Sequence, residues 1–154
     1  MAARIKPNRS LRTNAESIIP AMFEQMMSYK PNVLSRPESV DTLHEMRIAG
    51  RPLRYVMESL QPAFGSDFRT CLKEVKDFLD IAGLIHDCDV MINLLENFQN
   101  ETENKMGRQP SSGGVSKLIR HERSIRNKRF RQFCRALALW DQQNFEKKLR
   151  EALQ

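Results

Sequence analysis

His44, Arg47, Arg51 and Arg54 follow one another at intervals of three, four and three. In a helix, residues at i, i+3, i+7 and i+10 share one face. That face would lie about 100° around from the apolar line of Leu43, Met46, Leu53, Met57 and Leu60. Four nitrogen-rich side chains would then run along the margin of a core. Like charges stacked this way repel, so something negative must compensate. Glu58 shares the face one turn beyond Arg54, while Asp41 and Glu45 lie off it. One acid against three arginines leaves a deficit that an anion can fill. The planar paired N–H groups of arginine suit phosphate oxygens. The competing account is ion pairing inside the protein, with acids such as Glu74, Asp77 and Asp80 supplied by a neighbouring helix.

A second basic segment lies further along. Between Val115 and Arg135 stand Lys117, Arg120, Arg123, Arg126, Lys128, Arg129, Arg131 and Arg135, opposed by Glu122 alone. The 154 residues carry 25 Lys+Arg and 19 Asp+Glu, a net charge of +6. The remainder of the chain is therefore nearly balanced, and this one segment holds the basic bias. Such a focus attracts polyanions, whether nucleic acid, a phosphate polymer or an anionic membrane face. Lys117, His121, Lys128, Arg131 and Arg135 fall on one helical line. A solvated helix face is the plainer alternative.

The elements that must hold these residues are helices. A single domain is expected over 1–154, since the length suits one core. Residues 1–9 form a basic, Pro-containing tail expected to be flexible. Ser10 caps a first helix to about Tyr29, which Pro20 should kink. Lys30–Pro37 reads as a loop, and Glu38–Leu60 as the helix of the arginine row, stopped by Pro62 and Gly65. Ser66 or Asp67 caps a third helix, Gly83 interrupts the pattern, and a fourth helix runs from about His86 to Phe98. Residues 100–114 read as a flexible internal connection. A long fifth helix spans about Ser116 to Trp140, and a short sixth spans Asn144–Leu153. No alternating run is long enough for a strand. The expected class is all-α, a bundle of five to six helices.

Other classes drop out. No run approaches a membrane span, so no membrane partner is expected. The first residues show no secretory h-region. Cys71, Cys88 and Cys134 are odd in number and widely spaced, with no C-x-x-C pair, which points to a reducing cytoplasm. No catalytic triad, P-loop or nucleotide fingerprint is present, and no cofactor or resident metal is expected.

The segment from His44 to Tyr55, read as H-x-x-R-x-x-x-R-x-L-R-Y, resembles the CHAD family of helical domains. The resemblance continues through Leu72-Lys73 to Gly83-Leu84-Ile85-His86-Asp87-Cys88-Asp89-Val90, which is similar to that family's "G-x-x-R-D-x-D-V" turn. It covers about Leu43 to Leu95. It implies a domain that binds inorganic polyphosphate through His, Arg and Lys side chains in a basic cavity between two related four-helix bundles. Carried onto this chain, the anion-facing set is His44, Arg47, Arg51 and Arg54. Arg120, Arg131 and Arg135 join it by position on a basic helix. His86 stands where the family's turn has Arg, and Pro52 interrupts the basic helix. The chain holds one copy of the motif where two are usual, so a homodimer is expected to build the groove that a longer chain builds alone.

Two rival readings use the same residues. A metal-dependent phosphohydrolase of the HD type would use His44, His86 and Asp87, with Asp89 or Asp141 as the later acid. Against it, His44 sits inside an arginine row, which disfavours a bound cation. A nucleic-acid-binding helical module is the third reading. Its weakness is that Phe130, Phe133 and Trp140 share the apolar edge of the basic helix, leaving no stacking platform. Glu101-Thr102-Glu103-Asn104-Lys105 fits the E-x-E-x-K pattern of triphosphate-tunnel enzymes, but sits in a polar connection with no strands around it. The reading favoured here is non-catalytic polyanion binding.

Overall fold

The computed structural model describes residues 6–106 and 113–154. Among the described residues there are six α-helices, one 3₁₀ turn at Gln61–Ala63 and no strand. The helices are α1 (Leu11–Met27), α2 (Lys30–Ser35), α3 (Val40–Leu60), α4 (Ser66–Met106), α5 (Gly113–Gln142) and α6 (Phe145–Glu151). The all-α class is as the sequence predicts, with three differences in the elements.

The first difference is at Gly83. The helical pattern does not break there: α4 runs through it for 41 residues. A glycine inside a helix costs about 1 kcal/mol relative to alanine, which packing on both sides outweighs. Phe78, Leu79, Ala82 and Ile85 are buried around it. The second is α2, which occupies part of the expected loop; Pro31 sits in its first turn, where a missing N–H costs nothing. The third is the expected connection 100–114. Its first part, to Met106, continues α4, and α5 begins at Gly113; the rest of it lies outside the described residues. The basic segment 1–9 lies partly outside them too. Its described part, Lys6–Arg9, is held to α1 by Asn14, whose Oδ1 accepts from the Lys6 N–H at 2.8 Å.

Ser10 is the helix cap that the sequence predicts, whereas the expected cap Ser66 is already the first residue of α4. Ser10 and Ser39 accept backbone N–H bonds from Thr13 and Thr42 at the starts of α1 and α3. Pro20 and Pro52 both lie inside helices that continue past them. The carbonyls deprived of a partner belong to Glu16 and Ile48, both exposed, so water can satisfy them.

The core forms where α1, α3, α4 and α5 meet. At Gly50 a β-carbon would lie 2.5 Å from Leu79 Cδ2 and 2.7 Å from Met26 Sδ. The glycine therefore allows α3 to approach both α1 and α4 closely. At the other end, Trp140 packs on Phe78, Phe145 and Phe23, with ring centroids 4.4, 4.5 and 5.6 Å away. Those rings come from four different helices. Asn144, with φ 47°, turns the chain from α5 into α6 and lets buried Phe145 and Leu149 close the base. Lys148 pairs with Glu74 and Arg150 with Glu24 across that base.

Candidate anion site between α3 and α4

The amphipathic pattern of α3 buries Leu43, Met46, Leu53 and Met57 and leaves the arginine row at the edge facing α4. A cavity of about 510 Å³ opens there. Arg47, Arg51, Arg54 and Tyr55 line one side; Leu79, Asp80, Gly83, Leu84 and Asp87 line the other. Gly83 has no side chain to fill it. A β-carbon at Gly83 would sit 3.7 Å from the Arg47 Nε, an ordinary contact, but anything longer would enter the cavity.

The three arginines have different partners. Arg54 donates to Glu58 Oε1 at 3.1 Å and to Asp80 Oδ1 at 3.0 Å. Glu58 also pairs with Lys76 at 3.2 Å. The Arg54 hydrogen bond holds the Glu58 carboxyl below its usual range and raises the proton affinity of Arg54 in turn. Arg51 donates to the Tyr55 hydroxyl at 3.1 Å and lies 5.9 Å from the centre of that ring. Among the described residues, no carboxylate lies within ion-pair distance of Arg47 or Arg51. Internal pairing thus accounts for Arg54 and leaves two guanidiniums over. Asp87 lines the same cavity and is likewise unpaired among the described residues, so one carboxylate tempers the positive field.

The remaining predicted residues lie elsewhere. His44 does not line this cavity. Its ring stacks on His86 of α4 with centroids 4.9 Å apart, and the Nδ1 atoms of both rings are buried without a partner. Arg120, Arg131 and Arg135 are exposed on α5, and none lines the cavity. Arg120 reaches back to the Ser116 carbonyl at 3.4 Å. The structure therefore gathers three of the seven into one cavity.

The basic bias of α5 has a structural component. Arg126 is 5% exposed and donates from Nε to Asp89 Oδ1, itself 7% exposed, and from Nη1 to the Pro37 carbonyl at 3.0 Å. This buried pair joins α4, α5 and the turn before α3. Arg129 donates to the Leu84 carbonyl at 2.8 Å and lies 3.1 Å from Cys88 Sγ, and Arg123 pairs with Glu96. A signal for Arg126 is present in the sequence: Ile119, Arg126, Phe133 and Trp140 stand seven apart, so the arginine occupies a core position.

The metal-ligand set of the phosphohydrolase reading does not assemble among the described residues. Asp89 is committed to Arg126, Asp87 faces the arginine cavity, and the described residues contain no group of three His, Cys, Asp or Glu side chains placed to hold a metal ion.

The fold is thus a helical bundle with an arginine-lined cavity between its second long helix and its third. The CHAD domain model matches residues 4–96, more than half of the chain, and the chain belongs to the CHAD domain family. The match takes in the whole cavity and stops before α5, so Arg120, Arg131 and Arg135 lie outside it. No curated protein and no solved structure matches the chain. No helix among the described residues is long and apolar enough to cross a membrane.

Proposed function

We propose that this protein binds inorganic polyphosphate without catalysis, with the cavity between α3 and α4 as the principal contact. The supporting observation is the pair Arg47 and Arg51, held on a helix beside Gly83 with no carboxylate of their own among the described residues. Successive phosphates of a chain match successive guanidiniums, each through paired N–H donors. Arg54 contributes while bridged to Glu58 and Asp80. His44 and the exposed Arg120, Arg131 and Arg135 are secondary contacts for a chain that extends beyond the cavity. Each exposed contact is modest, so affinity comes from their number and pre-organisation. A homodimer and a cytoplasmic home belong to the same reading, the latter supported by three unpaired thiols.

The test is a titration with long-chain polyphosphate of the wild type and of Arg47→Ala combined with Arg51→Ala. A loss of at least about tenfold in affinity, 1.4 kcal/mol, with unchanged helix content, supports the reading. Unchanged affinity overturns it. Competition with duplex DNA at matched phosphate concentration separates polyphosphate from nucleic acid: failure of polyphosphate to displace DNA favours the latter.

A further inference from the structure

Beyond Asp89, α4 leaves the body of the bundle. No described residue of α4 after that point is buried; Ile92, Leu95, Glu96 and Gln99 are half-buried on the side facing α5. The contacts here join the two helices: Arg123 to Glu96, and Gln99 to Ser116 at 3.2 Å. A pair of helices with one seam cannot cover its other faces. The uncovered side of α4 carries Leu84, Met91, Leu94 and Phe98, with Asp87 completing steps of three and four. That is the spacing of a helix–helix seam. Leu94 and Phe98 are 62% and 57% exposed.

We infer that this stripe is the contact between two copies of the chain, packed antiparallel about a two-fold axis near Met91. Two observations favour a second copy over another occupant. The first is register. About Met91, Leu84 of one copy falls opposite Phe98 of the other and Met91 opposite Met91, so three of the four apolar positions pair with one another, as a two-fold contact requires. The second is charge. Beyond Asp89 and up to Asn104, α4 carries Glu96, Glu101 and Glu103 and no Lys or Arg. In this register Glu101 of one copy falls level with Ile81 of the other, between Asp80 and Gly83, at the cavity lined by the underpaired Arg47 and Arg51. Glu101 of each copy thus falls beside the cavity of the other, within the field of Arg47 and Arg51. Leu84 and Asp87 belong both to the stripe and to the cavity wall, so interface and cavity are continuous. The inference names the surface for the homodimer in the functional reading, but does not depend on polyphosphate binding.

Sedimentation velocity on the full chain without ligand, over a concentration series, tests it. The wild type is expected to double in mass as concentration rises. Leu94→Glu with Phe98→Glu is expected to abolish the doubling with unchanged circular dichroism, and Glu101→Lys to shift it to higher concentration. A wild type that stays monomeric throughout overturns the inference. So does a dimer unaffected by Leu94→Glu with Phe98→Glu, since its contact would lie elsewhere. Both outcomes are read without polyphosphate, so they stand apart from any failure to bind it.

Discussion

Single side chains separate the charges that hold the protein together from those left free for a ligand. Arg126 and Asp89 are the structural extreme, both nine-tenths or more buried. Removing one member of such a pair leaves an uncompensated buried charge, at about 3–5 kcal/mol. Asp89→Ala is therefore expected to lower stability by that amount in a denaturant titration. Asp89→Leu with Arg126→Met should recover most of the loss, and a double variant as unstable as the single one would contradict this. Asp87 is the opposite case, an unpaired carboxylate in the cation-lined cavity. Asp87→Asn should raise polyphosphate affinity, read in the same titration as the arginine variants; a fall would mean that the acid helps to order the site. Glu58 sets a pH dependence. Its carboxyl is held below the usual range mainly by the Arg54 hydrogen bond. Its contribution is thus present above the ordinary carboxylate pKa and is lost as acid carries the pH down through the depressed value. Because the pair is about one-third exposed, the effect is small, and Glu58→Gln should flatten the acid limb only slightly. The spacing of Arg47, Arg51 and Arg54 is legible in the sequence, since a helical period puts them on one edge of α3. The division among them is not, because Asp80 comes from 26 residues away and chooses Arg54 through helix packing.

At the scale of elements, the cavity depends on how closely α3 and α4 approach and on what is missing between them. Gly50 allows the approach and Gly83 leaves the space. Gly83→Ala adds only an ordinary contact with Arg47 and is expected to gain up to about 1 kcal/mol from helix propensity, with binding retained. Gly83→Leu should fill the cavity and weaken binding. Thermal unfolding and titration of both variants check the pair of outcomes, and equal binding by the leucine variant would place the ligand outside the cavity. The sequence misleads at this residue, because local propensity marks a break that tertiary packing overrides. The same limit applies to α2, where two prolines suggest a loop although the first fits a helix start. The extent of α3, by contrast, follows closely from its apolar periodicity: Glu38–Leu60 is expected and Val40–Leu60 is found. His44 shows a further limit of a one-helix reading: its spacing groups it with the arginines, yet stacking on His86 turns it away from their cavity.

For the whole molecule, the eight basic residues between Val115 and Arg135 overstate what a polyanion meets there. On α5, Arg123, Arg126 and Arg129 are engaged with α4 or the turn before α3. On α5 the exposed cations without an acid partner among the described residues are Lys117, Arg120, Lys128, Arg131 and Arg135; Arg47 and Arg51 are the corresponding pair in the cavity. None of the α5 set lines the cavity, so on the proposed reading a long polyphosphate would engage both where a short one would engage the cavity alone. Family membership was legible from the motif on α3 and the Gly83–Val90 segment. The separation of the regions was not, because it depends on which face of α5 turns to α4. The measurement that tests the account most directly is the salt dependence of polyphosphate binding by the wild type and by Arg47→Ala with Arg51→Ala. By analogy with counterion release from DNA, the affinity of the wild type should fall steeply and log-linearly with salt. The slope of the variant should be shallower by about two, one for each lost contact. Equal slopes and equal affinities for the two proteins would contradict the assignment of the cavity as the principal site.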